Sequence, residues 1–517
     1  MSNQVLETNI PGQFRVNGKT WIVGERYKLH AFLGAGAYGE VVKATDLHLR
    51  QYIALKKIPD IMFNPLLAKR VLREVCIMRR LVHPYIISLT DVFLNRSEDI
   101  TDGVDLYIAT EFAEKGDMCH FKGSLSPHDV KSLMWQLLLG VNYMHSCRVW
   151  HRDMKTDNTL LMEKMRVKLC DFGLARSAEE TPDDDLPAHK KKILSRQYTK
   201  TVVTPNYRAP EVVMSQGEYN SAIDMWSVGC IFWELITRAM KKQGYTRPLF
   251  CVREDPVTPR EGERYADDGP SLLTNQLNII FDVIGTPCWK DIESVPGANW
   301  RNYLKRLSGR AGNLATNLKE YADQQAVDLL IRMLEFNPSR RCSSDEALGH
   351  AYFKDMKRPA DTRQLISDDP LSAISTGALW KIKDPSLVLA HLEFQFEAAE
   401  HNADGGRRVL MSLLLDEIYQ HRQQDLIRQS FLGSFAAVKR QFIGHWMPHS
   451  EAVQVVEQVN KKLQAGPKVT RYAGVNVRNT EDTQPMKIGS IQSTRKAPPK
   501  RRAKRGRKKP NRMFFER

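Results

Sequence analysis

Between His151 and Gly173 the chain reads HRDMKTDN, then twelve mostly apolar residues, then DFG. This stretch constrains the fold more than any other, because Asp153, Asn158 and Asp171 can serve one chemistry only if a loop and a strand bring them to one place. Two acids and an amide at this spacing suit metal-assisted phosphoryl transfer. One acid aims an accepting hydroxyl and takes its proton, while the second acid and the asparagine hold cations. Phosphoryl transfer also needs a cradle for phosphates and a cation to grip them, so the remaining parts should lie elsewhere in the chain.

They are found upstream. LGAGAYGEVVKA carries Gly34, Gly36 and Gly39 among apolar and β-branched residues. The spacing alone is ambiguous, since dinucleotide-binding loops use the same glycines. Such a loop opens a helix, however, with an acid about 20 residues on. Here Val41-Val42-Lys43-Ala44 reads as a strand, so the glycines form a β-turn-β flap whose backbone can close over phosphates without Cβ atoms in the way. IALKK follows as a short apolar strand with Lys56 as its first charge. A buried lysine needs a partner. Glu74 is the candidate, in a stretch (Leu66 to Leu81) where Val71, Leu72, Val75 and Met78 fall at helical spacing.

Together these motifs resemble a eukaryotic protein kinase. Lys155, two places after Asp153, is similar to the serine/threonine type. The resemblance implies an α+β, two-lobed kinase fold: a small β-rich lobe with one helix over about 25–112 and a large helical lobe over about 113–355. It implies ATP and Mg2+ as cofactors. Asp153 would be the base, Lys155 would meet the γ-phosphate, Asn158 and Asp171 would ligate metal, and Lys56 would pair with Glu74. Leu33, Gly34, Ala35, Gly36, Ala37, Tyr38, Gly39, Val41 and Ala54 would cover the nucleotide. Thr110 would be the gatekeeper, main-chain groups of Glu111 and Ala113 would meet the adenine, and Asp117 would lie near the ribose. Cys170 reads as a buried thiol, since no catalytic histidine is indicated beside it.

The stretch from Asp171 to Glu211 is long, at 41 residues, and ends in SRQYTKTVVTPNYRAPEVV. With DMWSVGC, NQLNIIFDVIGTP and FNPSRRCSSDEAL, it resembles the cyclin-dependent and MAP kinase branch, closest to MAP kinases. Where MAP kinases carry Thr-x-Tyr, this chain has Thr199-Lys200-Thr201. The resemblance then implies a switch by phosphorylation at Thr199, with Thr201 beside it, clamped by Arg70, Arg152 and Arg176. Glu211 and Arg341 would anchor the loop. Val202-Val203-Thr204 with Arg208 implies protein substrates with Ser/Thr-Pro sites, and an upstream activating kinase follows. A cyclin-dependent-like enzyme, or a kinase-fold scaffold tethered by the tail, remains the alternative. Thr156 stands where the pattern has proline.

The 517 residues predict two to four compact units. Residues 1–24 are expected as a flexible lead-in ending in a short strand-like segment, FRVNGKTWIV, 356–465 as a helical extension packed on the kinase core, and 466–517 as a disordered basic tail. The net charge of +16 belongs mostly to the tail, since Arg495 to Arg517 holds twelve Lys/Arg and one acid. Such a run reads as a nuclear import signal, as a contact to nucleic acid, or as a solvated end. No run of 18 apolar residues appears, the N-terminus lacks a signal pattern, and the eight cysteines are scattered. An intracellular protein in nucleus and cytoplasm, without a membrane partner, is the expectation.

Overall fold

The computed structural model describes residues 4–36, 39–101, 103–177, 205–214, 220–240, 248–251, 271–321, 323–357 and 410–422, the side chains of 271–275 excepted. Thr199, Thr201, Ala37, Tyr38 and the basic tail lie outside the described residues.

The strand-like end of the expected lead-in, FRVNGKTWIV, forms a hairpin, and a further strand precedes it where flexibility was expected. β1 (Val5–Glu7), β2 (Gln13–Val16) and β3 (Lys19–Ile22) form a three-stranded antiparallel sheet. Alternation along β2 and β3 buries Phe14, Val16 and Trp21, and Trp21 meets Tyr107 edge-on with ring centroids 5.9 Å apart. Burying large side chains at about 1.5–3 kcal/mol each offsets the entropy of ordering so short a segment. The Asn17-Gly18 turn, both residues at positive φ, closes β2 onto β3.

A five-stranded antiparallel sheet follows, ordered β4-β5-β6-β8-β7. Its strands are β4 (Tyr27–Gly36), β5 (Gly39–Asp46), β6 (Gln51–Ile58), β7 (Leu89–Arg96) and β8 (Val104–Glu111). Between β6 and β7 runs α1 (Pro65–Arg80), with Asn64 as N-cap accepting from the Leu66 and Leu67 amides and Pro65 at the first helical position. The predicted inward face is found: Val71, Leu72, Val75 and Met78 are buried. Since strand side chains alternate, Ile53 and Leu55 on β6 point into the cluster beneath β1–β3, while Ile58 joins the cluster around α1. Lys56 therefore faces α1.

Helices dominate the rest. α2 (Pro127–Ser146) opens with a capping box between Ser126 and Asp129 and buries Leu133, Leu137, Val141 and Met144. Four short strands carry the central motifs: β9 (Val149–Trp150), β10 (Thr159–Leu161), β11 (Val167–Leu169) and β12 (Arg176–Ser177). β10 pairs β11 and β12 pairs β9. α3 (Pro210–Val213) and α4 (Ala222–Ala239) come next. α4 is apolar on nearly every face, as a helix at the centre of a core must be. No described helix is long and apolar enough to cross a membrane.

Of the expected helical extension, residues 410–422 are described and form a helix. Leu410, Met411, Leu414, Leu415 and Ile418 are buried in the same core as α1. Glu417 accepts from Arg79 and Arg80 at the end of α1, at 2.7, 2.7 and 2.8 Å.

Candidate functional site

Lys56 lies on β6 opposite Val41 of β5 and Ile108 of β8. Its Nζ donates to both carboxylate oxygens of Glu74, at 3.0 and 3.2 Å. Burial by itself would strip the Lys56 proton, but Glu74 and then Asp171 outweigh it and hold the lysine above its ordinary range. Burial likewise pushes Glu74 up; Lys56 pulls it down, and Asp171 pushes it up again. These three groups, from a strand, a helix and the DFG turn, thus share one field. The neighbouring Lys57 points to the opposite face and pairs with Asp105 at 2.8 Å beneath β3. Strand alternation alone separates the two lysines.

The loop after β9 is built around one buried acid. Asp224 of α4 accepts from the backbone amides of His151 (2.9 Å) and Arg152 (2.8 Å) and from His145 Nε2 (2.9 Å). Burial pushes its carboxyl up, yet the bond to His145 and the neighbouring His145 charge more than reverse this, and the group stays below the usual range. Arg152 adopts φ 67°, a turn that the two amide bonds help to hold. The His151 Nδ1 accepts from the Asp153 amide at 3.3 Å, so its proton is on Nε2, which donates to the Cys170 carbonyl at 3.0 Å. The His151 ring packs on buried Phe172 at 5.1 Å. In the sequence Asp224 stands out only as the first residue of the motif DMWSVGC. A lone acid amid the apolar AIDMWSVGC was the signal available.

Three predicted residues converge within this loop. Asp153 Oδ2 accepts from Lys155 Nζ at 2.8 Å and from Asn158 Nδ2 at 3.1 Å, and Asn158 Nδ2 also reaches the Asp153 carbonyl at 2.9 Å. The Asn158 carbonyl accepts from the Cys170 amide at 3.0 Å, which stitches the loop to the residue before Asp171. Asp171 itself takes φ 64°, and its Oδ1 accepts from the Gly173 amide at 3.4 Å. Arg73 of α1 donates to the Gly173 carbonyl at 3.0 Å, tying this turn to the helix that carries Glu74. The Cys170 thiol is driven well up by burial and by Asp171, as befits a packed residue.

The flap is the β4–β5 hairpin, with Gly34 opposite Val41, Ala35 opposite Glu40 and Gly36 opposite Gly39. The glycines are not equivalent. A Cβ on Gly39 would lie 2.3 Å from the Lys57 carbonyl, so close approach to β6 demands glycine there. Gly34 and Gly36 have open space instead. Leu33 is half exposed at the flap's edge, and Ala54 pairs with Thr110 across β6 and β8.

At the end of β8 the Glu111 amide donates to the Ser88 carbonyl at 3.3 Å. Its carboxylate is held by Lys168 at 2.9 Å. Ala113 and Asp117 follow; Asp117 accepts from the His120 amide and from His120 Nδ1, at 2.7 and 2.9 Å.

Of the expected clamp, Arg176 pairs in register with Trp150, next to the turn that holds Arg152, and Arg70 packs beside Gly173. The anticipated pair between Glu211 and Arg341 is present at 2.6 and 3.0 Å, fully buried, with Arg341 also donating to the Ala222, Glu335 and Phe336 carbonyls.

A strand lysine paired with a helix glutamate, beside a loop and a turn that bring together two acids and an amide, defines a protein kinase. Residues 27–353 match the protein kinase domain family, and the chain belongs to it. Within that family its likeness runs to MAP kinases. It is 33% identical over 349 residues to extracellular signal-regulated kinase 1 of Dictyostelium discoideum, spanning 67% of this chain and 58% of that protein. It is 35% identical over 332 residues to mitogen-activated protein kinase 5 of Oryza sativa subsp. indica, covering 64% and 78%. For mitogen-activated protein kinase HOG1 of Cryphonectria parasitica the figures are 33% over 350 residues, 67% and 84%. The protein is a MAP-kinase-like serine/threonine kinase with the bilobal α+β fold.

Proposed function

We propose that this kinase transfers the γ-phosphoryl group of ATP, with Mg2+, to serine or threonine followed by proline in protein substrates. The observation that carries the reading is geometric: Lys56 is paired with Glu74 at 3.0 and 3.2 Å, while Lys155 and Asn158 converge on Asp153 at 2.8 and 3.1 Å. A lysine held charged beside two acids is ready to meet phosphate oxygens. Asn158 spends its amide nitrogen on Asp153, so its Oδ1 remains as an acceptor; with the Asp171 carboxylate it offers hard oxygen ligands of the kind Mg2+ takes. Bound there, the metal would neutralise charge on the phosphates. Asp153 then aims the substrate hydroxyl and accepts its proton, while Lys155, whose Nζ donates to Asp153 Oδ2, meets the γ-phosphate. The flap backbone at Gly34 and Gly36 supplies amides without side-chain bulk, and Leu33, Val41 and Ala54 line the nucleotide. Glu111, Ala113 and Asp117 meet its base and sugar.

Phosphorylation of Thr199 by an upstream kinase switches the enzyme on, the phosphate being gripped by Arg70, Arg152 and Arg176. Residues 495–517 serve as a nuclear import signal, so the protein divides between nucleus and cytoplasm; a contact to nucleic acid is the other outcome of the same test. Phosphotransfer to a Ser-Pro peptide should be abolished in Asp171→Asn, and a Ser-Ala peptide should be a poor substrate. Equal rates on the two peptides would remove the proline preference. Thr199→Ala with undiminished activity would remove the switch. Loss of nuclear signal on deleting 495–517 supports import, and salt-sensitive loss of nucleic-acid binding with unchanged localisation supports the contact.

A further inference from the structure

Thr156 departs from the proline that the family pattern expects, and the structure gives its hydroxyl a partner set. The residue opens the single turn Thr156–Asn158 and is buried. Its Oγ1 lies 2.9 Å from the Tyr207 hydroxyl and 3.2 Å from Glu234 Oε2, while Tyr207 donates to Glu234 Oε1 at 2.6 Å. The three groups close a ring from which water is excluded, all three residues being at most 5% exposed. Proline would leave only the Tyr207–Glu234 pair.

The ring joins three segments. Thr156 adjoins Lys155, whose ammonium holds Asp153, and the Lys155 carbonyl accepts from Thr159 Oγ1 at 3.0 Å. Tyr207 closes the turn Pro205–Tyr207 ahead of α3; in sequence that turn comes after Val202-Val203-Thr204, which was read above as receiving the substrate's proline and lies outside the described residues. Glu234 belongs to α4, the same helix whose Asp224 fixes the amides of His151 and Arg152. The Tyr207 carbonyl is itself held by Ser227 of α4 at 2.9 Å. One rigid helix therefore locates the catalytic loop twice, through Asp224 before Asp153 and through Glu234 after it. It locates the Pro205–Tyr207 turn through the same Glu234 and through Ser227.

We propose that Thr156 is a positioning residue for phosphoryl transfer: through Tyr207 and Glu234 it locks the catalytic loop in register with the Pro205–Tyr207 turn. This rests on the peptide-phosphorylating reading given above. Its physical basis is that reacting groups displaced by a fraction of an ångström lose rate without losing ligand affinity. A buried ring with every member paired fixes geometry better than one left partly satisfied. Serine keeps the hydroxyl; valine keeps the shape and removes it.

The experiment compares full-length wild type with Thr156→Val, Thr156→Ser and Tyr207→Phe. With a Ser-Pro peptide, kcat should fall about tenfold in Thr156→Val and Tyr207→Phe, the scale of one buried hydrogen bond, while KM for ATP stays within about twofold. Thr156→Ser should recover most of the rate. Hydrogen exchange in the same proteins, read without turnover, should rise together at 153–158 and 205–208 in Thr156→Val. An unchanged kcat in Thr156→Val overturns the proposal. So does a loss of ATP affinity and rate in parallel that serine fails to restore, because that is the pattern of a damaged fold. If wild type itself leaves the peptide unmodified, the substrate reading falls, and exchange alone judges the coupling: unchanged exchange at both segments overturns it.

Discussion

Replacing Glu417 by alanine isolates the contact that holds helix 410–422 to α1. The carboxylate bridges two guanidinium groups, with Arg79 Nε and Arg80 Nη1 on Oε2 and Arg80 Nη2 on Oε1. All three residues are largely buried, Arg80 being the most open with 13% of its side chain exposed. Removing one member of a buried ion pair costs about 3–5 kcal/mol, because the charge left behind is unpaired. Arg80 can turn toward water, so the lower end applies. At about 1.4 kcal/mol per factor of ten, 3 kcal/mol raises the opening equilibrium of the helix roughly a hundredfold. Hydrogen exchange of the 410–422 segment under native conditions measures this directly. Glu417→Gln should fall between the two, since it keeps the shape and one acceptor. The sign with pH is also fixed. Burial pushes the Glu417 carboxyl up, but the bonds and charges of Arg80 and Arg79 hold it below its ordinary value. Its contribution is therefore present above the unfolded carboxyl range near 4.5 and is lost as pH falls below it toward the folded value. Protection in Glu417→Ala within about threefold of wild type would refute the reasoning, since apolar burial alone would then be holding the helix.

The adjacent lysines should separate stability from chemistry. Lys57→Ala leaves Asp105 buried without its cation and should cost about 3 kcal/mol in denaturant unfolding, whereas Lys56→Met should lower turnover by about a hundredfold or more and cost less stability, because the Glu74 carboxyl left behind is already pushed up by burial and Asp171 and can take a proton. Glu211→Ala should destabilise the helical lobe by about 3–5 kcal/mol, read as a lower denaturation midpoint, because Arg341 is wholly buried. Burial raises Glu234 to about 7 against the bonds from Tyr207 and Thr156; Asp157 adds to the rise and Arg238 opposes it, with Cys230 and Cys119 also nearby. Its folded value lies above its unfolded one, so its contribution is greatest below pH 4.5 and is lost as pH rises through 7. Glu234→Gln should flatten wild-type stability between pH 5 and 8, and an unchanged slope would contradict the assignment.

Local order was open to inspection in the amino acids alone. Alternation put Lys56 on the face opposite Leu55, helical spacing put Val71, Val75 and Met78 inward, and the glycines announced a hairpin. Each follows from backbone geometry within a few residues, and the residue types at the centre restrict the chemistry to phosphoryl transfer. Tertiary packing decided the partners. Arg79 and Glu417 are 338 residues apart, and no periodicity in either segment names the other. Asp224 became the anchor of the His151 loop only because α4 crosses beneath it. Trp21 ordered a polar terminus only because Tyr107 offers a ring to meet it. Thr156 looked inert until Tyr207 and Glu234 stood around it. A pattern reports which side of an element seeks burial. What it is buried against depends on three-dimensional closure, where the cost of an unpaired charge or hydroxyl selects one arrangement.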